Sequence, residues 1–154
     1  MSISYPETSA LVKHYVVEVG SDWIRTLLKP DRTPTVFTSH LTVVEAVCAF
    51  ARRRREGFLS PEHHARILTS FDYDAKYLYN LLAVAPAVVH TARSMADQHP
   101  LRAYDAVQLA SAWLANEKLV QARRPPLTFI CADERLLAVA QAEGLRTDNP
   151  NHHP

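Results

Sequence analysis

Apolar and polar residues follow two different periods along this chain. Short runs rich in β-branched and aromatic residues alternate with longer segments in which apolar residues recur every three or four positions, a pattern that predicts strands followed by helices. The predicted strands span residues 3–7, 35–38, 81–84 and 127–131. The predicted helices run from residue 8 to just before Gly20, over 22–28 and 40–56, from Ser60 onward, and over 86–98, 101–118 and 133–143. This alternation is typical of an α/β domain with a mostly parallel sheet.

The length of the chain fits a single domain. Its 154 residues lie within the usual single-domain range of about 100–200 residues, and 47% of them are apolar, enough to build a core. We expect one domain over residues 1–147, followed by a polar tail over residues 148–154 that is frayed.

Charge, cysteines and hydropathy narrow the class of protein further. Lys and Arg number 17 against 16 Asp and Glu, so the net charge does not favour nucleic acid and any basic surface is local. Cys48 and Cys131 stand among apolar residues, which predicts buried, reduced thiols in a cytoplasmic protein. The longest apolar stretch falls short of the roughly 18 residues that span a bilayer, and the start of the chain does not resemble a secretory signal.

Two carboxylates lie where a helix should be apolar. Glu45 falls within the apolar stripe of the helix over 40–56, and Asp105 falls within that of the helix over 101–118. The residues of the two predicted stripes are Leu41, Val44, Cys48 and Ala51 in the first helix and Leu101, Leu109, Ala112 and Trp113 in the second. Because an unpartnered buried carboxylate costs several kcal/mol, each of the two requires a cation, a hydrogen bond or a metal ion.

Two further acids follow predicted strands. Glu7 and Asp133 each stand at the end of a strand and the start of a helix, the edge of an open α/β sheet at which ligands bind. If Glu45 and Asp105 point to the same edge, four acids converge. Their mutual repulsion is then offset by a divalent cation or a shared proton, and all-oxygen ligation suits Mg²⁺ or Mn²⁺.

Each acid also has an ordinary structural interpretation. Asp133 is a good helix N-cap, and Glu7 can complement a helix dipole. Glu45 or Asp105 can be neutralised in an ion pair by an arginine such as Arg52 or Arg102.

Four segments, taken in order, resemble the acidic motifs of PIN-domain ribonucleases, most closely the VapC toxins of type II toxin–antitoxin systems. The segments are Glu7-Thr8-Ser9-Ala10-Leu11-Val12-Lys13, Leu41-Thr42-Val43-Val44-Glu45, the run from Leu101 to Ala110 around Asp105, and Thr128 to Leu137 around Asp133. The resemblance extends over residues 3–144. It implies a three-layer α/β/α sandwich in which Glu45, Asp105 and Asp133 line a Mg²⁺ or Mn²⁺ site. Glu7 stands where the family usually has aspartate, so this site is reshaped, selective for another ion, or inactive.

The same resemblance implies a function and partners. The family cleaves structured RNA such as tRNA with metal-activated water, is inhibited by a small VapB-like antitoxin that covers the acidic cleft, and forms homodimers. Substrate contacts are assigned to Ser9, Lys13, Arg52 and Arg102. Ser9 either orients a bound water or only caps the helix, and a solvated face that complements the helix dipole is the ordinary explanation of the basic run over 52–55.

Two other functions stay open at this point. A PIN-like fold with an altered Glu7 could bind RNA or protein without cutting it. A metal-dependent phosphohydrolase is the third possibility, but it usually needs an aspartate at the position of Glu7. The histidines lack zinc-ligand spacing, and neither a Gly-rich phosphate loop nor a Gly-x-Ser-x-Gly elbow occurs in the sequence.

Overall fold

The structure is a computed structural model that describes residues 2–154; Met1, the first residue of the predicted domain, lies outside them. The described residues form five strands and seven α-helices. The strands are β1 (Ile3–Pro6), β2 (Thr35–Ser39), β3 (Tyr79–Leu82), β4 (Thr128–Ile130) and β5 (Arg146–Asp148). The helices are α1 (Thr8–Tyr15), α2 (Ser21–Leu27), α3 (His40–Arg55), α4 (Pro61–Tyr77), α5 (Pro86–Gln98), α6 (Ala103–Gln121) and α7 (Glu134–Ala142).

The strands form one parallel sheet in the order β3-β2-β1-β4-β5. All four residues of β1 are buried, as expected for a central strand covered on both faces. The strand order changes direction at β1, since the chain first adds β2 and β3 on one side and later β4 and β5 on the other. The carboxyl edge beside β1 is therefore the place where such a sheet binds ligands.

Helices cover both faces of the sheet, which confirms the predicted three-layer α/β/α sandwich. One core packs α5, α6 and α7 against residues such as Tyr5 and Phe129. The other packs α1 to α4 around Leu11, Phe50 and Phe71. No helix within residues 2–154 combines the length and apolarity needed to cross a membrane.

Two strand predictions need correction. The third strand lies at Tyr79–Leu82 and not at 81–84, because Tyr79 and Asn80 are in register with Val36 and Phe37 of β2. Asn80 also donates a side-chain hydrogen bond to the Val36 carbonyl at 3.0 Å. The fifth strand, β5, was not predicted, because its residues are polar and only three in number.

The expectation of a frayed tail is wrong. Asn149 is 3% exposed, and its side-chain amide donates to Glu134 Oε1 at 2.7 Å. The ring of His153 stacks on Trp23 of α2 with 4.2 Å between centroids. Polar side chains hold this tail in place through hydrogen bonds and stacking, which a reading of hydropathy alone does not detect.

The apolar stripe predicted for α3 faces the wrong way. The residues of α3 that are buried against the core are Thr42, Ala46 and Phe50, whereas Val44 is 61% exposed. Cys48 is exposed as well, contrary to prediction, while Cys131 is buried as predicted and both thiols are free. The apolar side chains of Leu41, Val44 and Cys48 instead line a cleft.

Candidate active site

A cleft of about 800 Å³ opens at the carboxyl edge of the sheet, between the N-terminal part of α1, α3 and the start of α6. Glu7, Glu45 and Asp105 line it together, although Glu7 and Asp105 are 98 positions apart in the sequence. Asp133 is not part of this lining, but its neighbour Ala132 is. The structure thus brings three of the four predicted acids to one cleft and places the fourth beside it.

Glu7 is the most deeply buried of these acids, at 6% exposure. It follows β1 directly, and its backbone N–H donates to the Ile130 carbonyl of β4 at 2.9 Å. Its Oε2 atom accepts hydrogen bonds from the Ser9 N–H at 2.9 Å, from Ser9 Oγ at 2.5 Å and from Cys131 Sγ at 3.4 Å. Burial raises the pKa of Glu7, and the donors from Ser9 and Cys131 oppose that rise.

Ser9 has a different task from a simple cap. The side chain that caps α1 is the Glu7 carboxylate, and the Ser9 hydroxyl donates to that carboxylate. The same hydroxyl oxygen accepts the Ala132 N–H at 2.9 Å. Ser9 therefore joins the start of α1 to the loop between β4 and α7, and so fixes the two chain segments that carry Glu7 and Asp133.

Glu45 is held by a buried polar network whose centre is Gln108. The amide nitrogen of Gln108, a residue with 0% exposure, donates to Glu45 Oε1 at 2.7 Å and to Thr42 Oγ1 at 2.8 Å. Its carbonyl accepts from the buried Tyr5 hydroxyl at 2.7 Å, which fixes the orientation of the amide. Thr8 Oγ1 also donates to Glu45 Oε1, at 3.2 Å.

Gln108 is a site residue that the sequence analysis missed. Its signal is an amide one turn after Asp105, flanked by Val107 and Leu109 in the apolar part of α6, where a buried polar side chain requires partners. Because α3 and α6 lie on opposite faces of the sheet, the hydrogen bond between Gln108 and Glu45 connects the two helix layers at the carboxyl edge.

Asp105 is paired with a cation from its own helix turn. Arg102 Nε lies 3.2 Å from Asp105 Oδ2, with the arginine side chain 81% exposed and that of the aspartate 20% exposed. The hydrogen bond and charge of Asp105 raise the pKa of Arg102, and the charges of Asp133 and Glu7 add to that rise. The ion-pair interpretation therefore holds for Asp105, whereas Glu45 is held by neutral donors.

Asp133 has the ordinary role of a helix cap. Its Oδ1 atom accepts the N–H groups of Arg135 at 2.9 Å and Leu136 at 3.4 Å at the start of α7. Its other carboxylate oxygen has no hydrogen bond to the described residues.

The basic residues of the cleft fall into two groups. Lys13 is 5% exposed, and its Nζ lies 3.1 Å from Glu18 Oε2; Arg53 bonds the other oxygen of Glu18. Arg52 also lines the cleft, and it makes no ion pair within residues 2–154. Arg53 and Arg55, which belong to the basic run over 52–55, also line the cleft at the end of α3.

The donor chemistry of the site suits a hard divalent cation. In each of the four carboxylates one oxygen is engaged by protein donors, and the other has no hydrogen-bond partner within residues 2–154. Carboxylate oxygens are the ligands that Mg²⁺ and Mn²⁺ prefer. Within the same residues, however, no three Asp, Glu, His or Cys side chains lie close enough together to hold a metal ion. The site therefore suits a divalent cation by the type of its ligands and not by their spacing.

Comparison with known proteins identifies the family to which this fold belongs. A family model for the PIN domain matches residues 4–142. The chain therefore belongs to the PIN domain family, as the sequence motifs indicated, and PIN domains are generally nucleases.

Solved structures share the fold at low sequence identity. The structure of VapBC2 from Rickettsia felis, bound to a DNA fragment from its promoter, superposes with a TM-score of 0.64 at 11% identity, covering 96% of this chain and 98% of that one. PAE2754 from Pyrobaculum aerophilum superposes with a TM-score of 0.52 at 22% identity, covering 96% and 90% of the two chains. No curated protein matches the sequence significantly.

Proposed function

We propose that this protein is a divalent-metal-dependent endoribonuclease that cleaves structured RNA such as tRNA, and that it is the toxin of a toxin–antitoxin pair. The observation that carries the proposal is the convergence of Glu7, Glu45 and Asp105 on one cleft of a PIN fold, each with an oxygen left free by the described residues. A toxin of this kind acts in the cytoplasm, where its RNA is.

The proposed metal ligands are Glu7, Glu45, Asp105 and Asp133. A bound Mg²⁺ or Mn²⁺ supplies an activated water and stabilises charge on the phosphoryl oxygens. The protein groups orient the carboxylates: Ser9 and Cys131 hold one oxygen of Glu7, and Gln108 holds one oxygen of Glu45. Asp105 needs only to release Arg102, whose exposed guanidinium is free to move to a substrate phosphate.

The glutamate at position 7 is accommodated by its surroundings. Its extra methylene displaces the carboxylate by about 1.5 Å relative to aspartate, and a shift of that order can cost much of an active site's rate. Three donors on Oε2 fix the longer side chain in one place. We infer that glutamate is used here as a positioned ligand and not as a vestige.

The proposed phosphate contacts are Arg52 and Arg102, which line the cleft on α3 and at the start of α6. Lys13 is buried and paired with Glu18. It therefore contributes positive potential to the cleft more than direct contact with the phosphate. Ser9 contributes through Glu7.

A VapB-like antitoxin and a second copy of the chain are the proposed protein partners. The structural neighbour from Rickettsia felis is described as VapBC2 bound to promoter DNA, and a cleft lined by carboxylates attracts a basic side chain from an inhibitor.

A second candidate function is a catalytically attenuated PIN-like module that binds RNA or protein. It is favoured by the ion pair between Arg102 and Asp105 and by the absence, within residues 2–154, of three metal-binding side chains in close array. The two candidates differ in whether a divalent ion binds and whether RNA is cut.

Cleavage of a labelled RNA hairpin by the purified protein with Mn²⁺ tests the proposal. We expect cleavage by the wild type, loss of cleavage by at least about 100-fold in Asp105→Asn, and normal cleavage in the control Asp97→Asn, whose side chain is exposed on α5. Circular dichroism checks that both variants are folded.

Equal cleavage by wild type and Asp105→Asn would remove the catalytic assignment. Glu7→Asp separates the two candidates further. A large gain in rate would show that the natural chain is attenuated, while no gain would show that glutamate ligates adequately.

A further inference from the structure

We propose that Tyr104 of α6, together with Leu41 and Val44 of α3, forms a subsite for an unpaired nucleobase beside the carboxylates. We call these three residues the base subsite. The inference rests on the proposed function and adds to it the part of the substrate that the cleft recognises.

Tyr104 is placed for contact with a ligand and not for packing. It is 64% exposed, it lines the cleft, and it stands between Arg102 and Asp105 in the sequence. Its hydroxyl makes no hydrogen bond to any residue of the range 2–154. A large aromatic ring that neither packs nor bonds, next to reacting groups, is available for stacking.

The apolar residues of α3 add a second wall to the subsite. Leu41 and Val44 line the same cleft as Tyr104, and Val44 is 61% exposed. They are not spare core residues, because the face of α3 that packs inward is occupied by Thr42, Ala46 and Phe50.

The charges of the cleft indicate which apolar ligand fits. Arg52, Arg53 and Arg55 line it on the same helix as the apolar row, and Arg102 lines it beside Tyr104. A surface that alternates cations with an exposed aromatic ring matches a nucleic acid strand, whose phosphates bind cations and whose bases stack on aromatic side chains. A purely apolar ligand would leave the guanidinium groups of Arg52 and Arg55, which make no ion pair within residues 2–154, without partners.

The same features favour an unpaired base over a duplex. Bases inside an RNA helix are stacked on one another and hidden from side chains, whereas bases in loops and at ends can be splayed out and stacked on a tyrosine. We therefore expect the protein to take hold of an unpaired nucleotide next to the phosphate that it cleaves.

Fluorescence anisotropy with a labelled RNA hairpin in EDTA tests the base subsite without requiring catalysis. We expect Tyr104→Ala to weaken binding by about 5- to 100-fold, the range of a single base–aromatic stack. Tyr104→Phe keeps the ring and should retain the affinity. The matched control is Tyr77→Ala, which removes a tyrosine that is 60% exposed on α4, with the oligomeric state of each variant checked by sedimentation.

A second set of hairpins, each with one loop nucleotide made abasic, locates the base. One abasic position should weaken binding to the wild type and have no further effect on Tyr104→Ala. Unchanged affinity in Tyr104→Ala, or an equal loss in Tyr77→Ala, would overturn the subsite. Cleavage by the wild type is scored separately, so the loss of the subsite leaves the nuclease proposal standing, and a protein that binds through Tyr104 without cutting retains the subsite alone.

Discussion

Glu7 combines deep burial with a carboxylate that the proposed chemistry needs in its ionised form. Three donors engage one of its oxygens, but the first influence on its pKa is desolvation, and the nearby charge of Glu45 acts in the same direction. Ionising Glu7 in the folded protein therefore costs more than ionising it in the unfolded chain. A divalent ion at the free oxygen would reverse that penalty.

This raised pKa predicts how Glu7→Gln changes stability with pH. Between the ordinary pKa of 4.5 and the higher folded value, the folded protein holds more protons than the unfolded chain, so wild-type stability falls as pH rises through that window. Glutamine can accept the same donors and has no proton to lose. We expect Glu7→Gln to raise the Tm above pH 5 by about 2–4 °C per kcal/mol relieved and to have little effect at pH 4, as measured by calorimetry without metal.

Addition of Mn²⁺ provides the internal control for that experiment. The ion should raise the Tm of the wild type and should raise that of Glu7→Gln much less, because it binds the native ionised site. A stability difference that does not vary with pH would refute the raised pKa.

At the scale of elements, short connections hold the site together. Ser9 links α1 to the loop before α7 through Ala132, and Gln108 links α6 to α3 through Glu45. The tail, residues 149–154, is connected to two helices. Asn149 donates a hydrogen bond to Glu134 of α7, and His153 stacks on Trp23 of α2. The tail is thus part of the layer that supports α1.

A substitution at Gly20 tests whether that tail packs against α2. It has a φ of +83°, and a Cβ at this position would lie 2.2 Å from the Pro150 carbonyl oxygen. Gly57 has nearly the same φ, +82°, but open space around it. We expect Gly57→Ala to cost about 1–2 kcal/mol of unfolding free energy through its backbone conformation alone, and Gly20→Ala to cost clearly more. Equal losses in urea denaturation would show that residues 149–154 do not pack against α2.

The order of the elements was predictable from the sequence because its strands and helices have distinct periods, and α5 matches its predicted span of residues 86–98. The buried face of α3 was not predictable in this way. Its buried row contains Thr42, whose hydroxyl accepts hydrogen bonds from Thr38 at 2.8 Å and from Gln108, so a polar residue lies where hydropathy expects an apolar one. Hydropathy therefore selects the more apolar row of Leu41 and Val44 as the buried face.

The candidate site, like the fold, was predictable from the sequence only in part. The structure places Glu7, Glu45 and Asp105 in one cleft, and their role there stays a prediction. The partners of these acids depend on contacts between residues far apart in sequence, such as Cys131 with Glu7 and Gln108 with Glu45. No local pattern encodes those pairs, because the first depends on the pairing of β1 with β4 and the second on helices packed on opposite faces of the sheet.

At the scale of the whole molecule, the parallel sheet is what makes the cleft possible. Its strands all end at one edge, and the change of direction at β1 leaves a gap there between the connections to β2 and β4. Helices on both faces place carboxylates over this gap, and two separate cores hold those helices rigidly. We propose that these carboxylates jointly bind one kind of ligand, a divalent cation.

Titration calorimetry of Mn²⁺ into the wild-type protein and into Asp105→Asn tests that claim most directly. We expect saturable binding to the wild type and an affinity at least about tenfold lower in Asp105→Asn, because a direct ligand contributes no less than the outer residues of a metal site. No saturable binding to the wild type, or equal affinity in the two proteins, would contradict it.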